Sequence, residues 1–157
     1  MVDSTSVQDC LDAVYRFLSY RPRSEGEIKQ WCRRRGLSDE MTEAVMARLR
    51  EQKLSDDLAF ARFWKENRLA FRPKSRRLLQ KELRDKRVAP EIIAEVTEDI
   101  DDDQIAYRLG RNRMSSLAGL EYPQFHRRLA SYLTYRGFSY EVVKRTVAAL
   151  WAERASS

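Results

Sequence analysis

The segment Gly36-Leu37-Ser38-Asp39-Glu40-Met41 has two relatives further along the chain, Arg87-Val88-Ala89-Pro90-Glu91-Ile92 and Gly137-Phe138-Ser139-Tyr140-Glu141-Val142. The first residues of the three segments are 51 and then 50 positions apart. Matching apolar residues also precede each segment: Ile28 and Cys32, then Leu79 and Leu83, then Leu129 and Leu133. Self-similarity at a fixed spacing is typical of tandem structural modules. The sequence therefore predicts three modules of near-equal size.

Each segment has the chemistry of one helix ending and another beginning. Gly36 and Gly137 can adopt the positive φ that closes a helix, and a serine two residues later can cap the next one. In the middle module Arg87 stands at the glycine position, and Pro90 stands where a first helical residue with preset φ is favourable. We expect the same helix boundary there, formed with more strain.

The spacing of apolar residues predicts helices on both sides of these boundaries. Met41, Val45 and Leu49 recur every four residues, and alternating strand patterns are absent. Ser24 and Glu27 have the spacing of a capping box. The predicted fold is all-α, with three tandem three-helix modules stacked into an elongated, curved, repeat-like molecule. The expected module boundaries are residues 7–54, 55–100 and 101–154.

Composition and targeting signals favour a folded cytoplasmic protein. Hydrophobic residues make up 43% of the chain and charged residues 34%, which suits buried cores under a charged exterior. The two cysteines, Cys10 and Cys32, fall at apolar helical positions and suggest no disulfide framework. The N-terminus has no basic start followed by an apolar run, and no stretch has the length of a membrane span. We expect a reducing cytoplasm as the location.

The positive charge of the chain is concentrated between residues 65 and 87, a segment called here the basic stretch. It has ten basic residues against three acids, a balance of +7, whereas the whole chain has a net charge of +6 and the remainder therefore −1. Because ordinary surfaces intersperse both signs, this segregation favours a functional basic face over a merely solvated surface, and such a face would bind phosphate groups or a run of carboxylates on a protein. The predicted site residues are Lys65, Arg68, Arg72, Lys74, Arg76, Arg77, Lys81, Arg84, Lys86 and Arg87.

The basic stretch is expected to present its charge on one helix. On a helix beginning near Lys74, the leucines at 78, 79 and 83 would form the buried stripe. The exposed side would then carry Lys74, Arg77, Lys81 and Arg84. No base-reading motif accompanies them, which disfavours sequence-specific recognition. The neighbouring aromatic residues Phe63, Trp64 and Phe71 have a spacing that fits core packing better than base stacking.

An acidic stretch follows, from Glu91 to Asp103, with seven acids and no Lys or Arg. Helix-start acids and solubility explain it best, and a docking surface for basic groups on a partner is the alternative. The one histidine, His126, stands beside Arg127 and Arg128 without a nucleophile or metal ligand at a recognisable spacing. The sequence therefore predicts no catalytic residues, no metal site and no cofactor.

Several motifs together resemble the RecX family. Ser55-Asp56-Asp57 followed by Phe60-Ala61 and Arg68 is similar to the turn that opens the family's middle module. Arg21-Pro22-Arg23-Ser24 with Glu27-Ile28 resembles the family's first helix start, and Tyr135-Arg136-Gly137-Phe138 resembles the turn of its last module. The resemblance covers about residues 9–153, and the order and spacing of the motifs make it more specific than any one of them.

The resemblance implies a non-enzymatic negative regulator of the RecA recombinase. Such a protein binds in the groove of the RecA filament on single-stranded DNA and inhibits ATP hydrolysis, strand exchange and the co-protease activity of RecA. The implied partners are the RecA filament and single- and double-stranded DNA, with no membrane, and we expect a monomer. The alternative is an autonomous helical protein that binds DNA without sequence specificity, which the basic stretch alone would permit.

Overall fold

The computed structural model describes the backbone of residues 4–156 and the side chains of residues 7–156. Over this range it has nine α-helices, a short 3-10 helix at Met114–Leu117 and no strand, which confirms the all-α prediction. The helices are α1 Ser4–Tyr20, α2 Glu25–Arg34, α3 Asp39–Glu51, α4 Asp57–Phe71, α5 Arg76–Asp85, α6 Pro90–Thr97, α7 Asp102–Asn112, α8 Tyr122–Tyr135 and α9 Tyr140–Ser156. None of the helices in the described range is long and apolar enough to cross a membrane.

The three repeated segments end their helices in the same way. Residues 36, 87 and 137 all have positive φ, at 82°, 61° and 92°. In each case the next residue donates its N–H to a carbonyl five positions back: Leu37 to Cys32, Val88 to Leu83, and Phe138 to Leu133. This is the Schellman arrangement, in which a left-handed residue satisfies the last carbonyls of a helix. The predicted helix boundary is therefore present at Arg87, although a non-glycine side chain disfavours positive φ.

The helix starts use the caps that the sequence indicated. Ser24 and Glu27 form a complete capping box at α2. The Ser38 and Ser139 hydroxyls accept the N–H groups of the residues three positions on, at 3.1 and 3.3 Å. Helix α5 starts at Arg76, two residues after Lys74, because Ser75 caps it by accepting the N–H of Leu78.

The chain divides into two compact units, one reaching Lys65 and including Glu82–Val96, the other holding Glu66–Lys81 and the chain from Thr97 onward. The described part of the first unit shows two buried clusters. The cluster of α1–α3 contains Val7, Leu11, Val14, Ile28, Cys32, Val45, Met46 and Leu49. The other cluster contains Phe60, Ala61, Leu83, Val88, Ile93 and Val96. In the second unit, the buried residues of α7, α8 and α9 include Leu109, Phe125, Leu129, Leu133, Val147 and Leu150.

Candidate nucleic-acid interface

Helix α5 carries an exposed basic face. Arg77, Lys81 and Arg84 are exposed and lie four and then three positions apart, whereas Leu79 and Leu83 are buried. Residues at this spacing share one side of a helix. Leu78 is only partly buried, and Lys74 lies in the connection before the helix and is half-buried. The helix therefore presents three of the four predicted cations itself, and Lys74 belongs to the preceding loop.

Arg76 has a structural role within the second unit. Its guanidinium donates to the backbone carbonyls of Glu98 at 2.8 Å and Ile100 at 3.0 Å. The backbone N–H of Arg76 donates to the Asp102 carboxylate at 2.8 Å. These contacts join the start of α5 to the connection between α6 and α7. Because its guanidinium is held by carbonyls, Arg76 is a weaker candidate for binding an external phosphate than its exposed neighbours are.

Lys86 belongs to a cationic network in the first unit. Its ammonium lies 3.3 Å from the Glu27 carboxylate, which also accepts from the Arg21 guanidinium at 2.5 Å. The cationic groups of Arg21 and Lys86 lie 5.2 and 4.9 Å from the centroid of the Trp64 ring, a cation–π distance. Burial raises the pKa of Glu27, but its hydrogen bonds and the charges of Arg21 and Lys86 outweigh burial and lower the pKa. Lys86 thus makes contacts that stabilise the first unit.

The remaining predicted site residues lie on α4, just after α4, and after the end of α5. Lys65 and Arg68 lie on α4 and are half-buried. Arg72 follows the end of α4 and is exposed, and Arg87 is exposed at the positive-φ position after α5. The exposed cations of the stretch are therefore Arg72, Arg77, Lys81, Arg84 and Arg87.

The acidic stretch makes one local cap and contacts with residues far away in the chain. Asp101 caps α7 by accepting the N–H of Gln104, and Asp103 pairs with the Arg145 guanidinium at 3.0 and 3.1 Å. The Asp103 carboxylate raises the pKa of Arg145. Together with the Asp102 contact to Arg76, these interactions support helix capping and folding as the explanation of this stretch.

The aromatic residues near the basic stretch divide into two kinds. Trp64 contacts the Phe60 ring at 5.7 Å and donates its indole N–H to Glu82 at 2.7 Å, as expected for a packing residue. The prediction that Phe71 packs in a core is wrong, because its side chain is 78% exposed. It is the last residue of α4 and lies beyond the buried positions of that helix. Tyr135, at the end of α8, is likewise 85% exposed, which no pattern in the sequence indicated.

The histidine and the two cysteines lie in different surroundings. His126 is exposed and lies near the Tyr122 ring. Both cysteines are free thiols, and burial, with a smaller effect of Cys10, raises the pKa of Cys32 to about 11. No group of three His, Cys, Asp or Glu side chains in the described part of the chain is arranged to hold a metal ion. The exposed cations of the basic stretch are the candidate site.

Family models match all three modules. The first three-helix domain of RecX matches residues 10–49, the second matches residues 56–96, and the third matches residues 101–147. Together these matches cover most of the chain in the order of the family. They confirm the RecX resemblance and the architecture of three tandem three-helix modules.

Relatives and solved structures agree with the family models. Regulatory protein RecX of Amycolatopsis mediterranei is 31% identical over 88% of this chain and 83% of its own length. Regulatory protein RecX of Prosthecochloris aestuarii is 31% identical over 93% of this chain and 96% of its own. The crystal structure of RecX from Lactobacillus salivarius has the same fold, with a TM-score of 0.78 at 16% identity over 94% of this chain and 98% of that one. This chain therefore belongs to the RecX family.

Proposed function

We propose that this protein is a non-enzymatic negative regulator of the RecA recombinase. In this proposal it binds in the groove of the RecA filament on single-stranded DNA and inhibits ATP hydrolysis, strand exchange and co-protease activity. The observation that carries the proposal is the match to all three RecX domains, together with relatives whose name is Regulatory protein RecX. Inhibition then follows from occupancy of the groove and needs no catalytic residue.

The basic face of α5 supports the DNA part of the proposal. Arg77, Lys81 and Arg84 are exposed on one side of a helix, within a stretch whose charge exceeds that of the whole chain. Cations so arranged bind phosphates through local attraction and release of counterions, independently of base sequence. Arg68, Lys74 and Arg72 extend the proposed contact, whereas the structural bonds of Arg76 and Lys86 make those two minor contributors.

The test is the rate of ATP hydrolysis by RecA on single-stranded DNA at moderate salt, titrated with the wild-type protein. The variant Lys74→Ala, Arg77→Ala, Lys81→Ala, Arg84→Ala removes the basic face. A matched variant, Arg34→Ala, Arg48→Ala, Arg127→Ala, Lys144→Ala, removes the same charge from exposed positions on other helices. We expect wild type and the matched variant to inhibit at up to equimolar ratios, and the basic-face variant to inhibit at least tenfold more weakly, about 1.4 kcal/mol in binding free energy.

Circular dichroism and thermal unfolding check that both variants are folded. If wild type binds DNA but leaves hydrolysis unchanged, the regulator proposal is wrong and the autonomous DNA-binding alternative takes its place. If both quadruple variants inhibit as wild type does, RecA is regulated through a surface other than the basic face.

A further inference from the structure

A cleft in the second unit combines exposed aromatic rings with basic groups. Phe71, Arg72, Lys74, Leu78, Tyr135 and Arg136 line it, and its volume is about 680 Å³. Phe71 and Tyr135 are 78% and 85% exposed, although burying such rings is ordinarily favourable. Two exposed aromatic residues thus line the same basic cleft.

The cleft is held in shape by the turn after α8. The N–H of Ser75 donates to the carbonyl of Arg136 at 3.0 Å, and the Arg136 guanidinium donates to the carbonyl of Pro73 at 3.0 Å. Gly137 has a φ of 92°, and a Cβ there would lie 2.4 Å from the Leu78 side chain. The loop that carries Arg72 and Lys74 is therefore tied closely to the turn that carries Tyr135. Exposed rings on a fixed backbone lose little conformational freedom when they bind a ligand.

The combination fits the chemistry of unpaired nucleotides. Every base has an apolar π-face that stacks on Phe or Tyr, and the adjoining phosphates attract Arg and Lys. The bases of a duplex are already stacked on one another. Exposed aromatic rings on a protein therefore stack mainly with the unpaired bases of a single strand. We propose that this cleft binds single-stranded nucleic acid by stacking bases on Phe71 and Tyr135, with Arg72 and Lys74 facing the phosphates. The inference rests on the proposed DNA contact and adds a base-dependent part to it.

The test compares two labelled oligonucleotides of about 12 nucleotides, within the usual site size for a single strand. One is thymidine only, and the other has the same phosphates but is abasic throughout. Fluorescence anisotropy at low salt gives the affinity of each for the full-length protein. We expect wild type to favour the thymidine strand by at least about fivefold, the lower end of what one stacked base contributes.

The variant Phe71→Leu, Tyr135→Leu keeps apolar side chains without rings, and its folding is checked by circular dichroism. It should bind both oligonucleotides with the affinity that wild type has for the abasic one. Tyr135→Phe keeps the ring and should keep the preference. Tyr20→Ala is the matched control, since Tyr20 is 84% exposed but belongs to the first unit and not to the cleft, and this variant should behave as wild type.

Equal affinity of wild type for the two oligonucleotides, with inhibition of RecA intact, would overturn base stacking and leave the proposed function standing. If the leucine variant still prefers the thymidine strand, stacking on Phe71 and Tyr135 is likewise overturned, because the bases would then stack elsewhere. If inhibition, rather than base preference, is lost in the leucine variant, the cleft binds the recombinase protein and not DNA. Failure of wild type to bind either strand would overturn both this inference and the proposed DNA contact.

Discussion

Glu27 accepts hydrogen bonds from the Ser24 N–H and the Arg21 guanidinium and pairs with Lys86, all within the first unit. Its pKa is lowered, so the ionised carboxylate is favoured in the folded state. A lowered pKa contributes stability above the unfolded value, near 4.5, and this contribution is lost as the pH falls through the folded value. We expect Glu27→Gln to reduce the free energy of unfolding by about 1–2 kcal/mol at pH 7. Urea unfolding from pH 7 to pH 3 should show this difference shrinking below pH 4.5.

Asp57 offers a control of the opposite sign. Burial raises its pKa, while its carboxylate accepts the N–H of Glu25 at 2.8 Å. A raised pKa contributes stability below the ordinary value of 3.8, and this contribution is lost as the pH rises through the folded value. Asp57→Asn keeps an oxygen acceptor without the charge. The free energy of unfolding of this variant minus that of wild type should be larger at pH 7 than at pH 3, which is the reverse of the trend for Glu27→Gln. Parallel pH trends for the two variants would contradict both assignments.

Gly36 and Gly137 permit a comparison of backbone strain with crowding. Both have positive φ, 82° and 92°, but only at Gly137 would a Cβ meet neighbours, at 2.4 Å from Leu78 and 2.5 Å from Ser75. Gly36→Ala should cost about 1 kcal/mol of unfolding free energy, from the left-handed conformation alone. Gly137→Ala should cost about 2–4 kcal/mol, because overpacking adds to the same strain. Equal losses in urea unfolding would mean that the turn after α8 relaxes easily.

Helix ends follow from short-range chemistry, and the sequence therefore predicts them well. Glycine at a left-handed position, serine caps and proline at a first helical residue act within a few positions. The function of a side chain depends on distant neighbours instead. Arg76 binds carbonyls more than 20 residues away, which no local spacing indicates. Phe71 continues the apolar pattern of α4 but lies past its buried turns, so periodicity alone assigned it to a core wrongly.

The ends of α3 and α5 carry non-glycine residues at left-handed positions, Lys53 with φ 58° and Arg87 with φ 61°. The residue after each donates back to Leu49 and Leu83, as at the glycine ends. Lys53→Gly and Arg87→Gly should each raise the free energy of unfolding by about 0.5–1 kcal/mol, since relief of strain outweighs the extra freedom of glycine in the unfolded chain. Lys81→Gly, within α5, should instead lower it by about 1 kcal/mol. Thermal unfolding measures all three, and destabilisation by all three would rule out strain at these helix ends.

At the scale of the whole molecule, DNA binding that depends on net charge differs in its expected mutational effects from binding that depends on local charge. The chain has a net charge of +6, yet the residues outside the basic stretch sum to −1. If DNA responded only to net charge, any four cations would matter equally. If it binds the basic face, only cations there release counterions on binding.

The two quadruple variants used in the RecA test have the same net charge, +2, since each loses four of the +6. Each phosphate neutralised on single-stranded DNA adds about −0.7 to the slope of log affinity against log salt. The basic-face variant should therefore have a slope shallower than that of wild type by about 2–3 units, while the matched variant keeps the wild-type slope. Fluorescence anisotropy on a single strand between low and moderate salt gives both slopes. If the two variants lose slope equally, the concentration of charge between residues 65 and 87 has no part in binding, and DNA is attracted by the molecule as a whole.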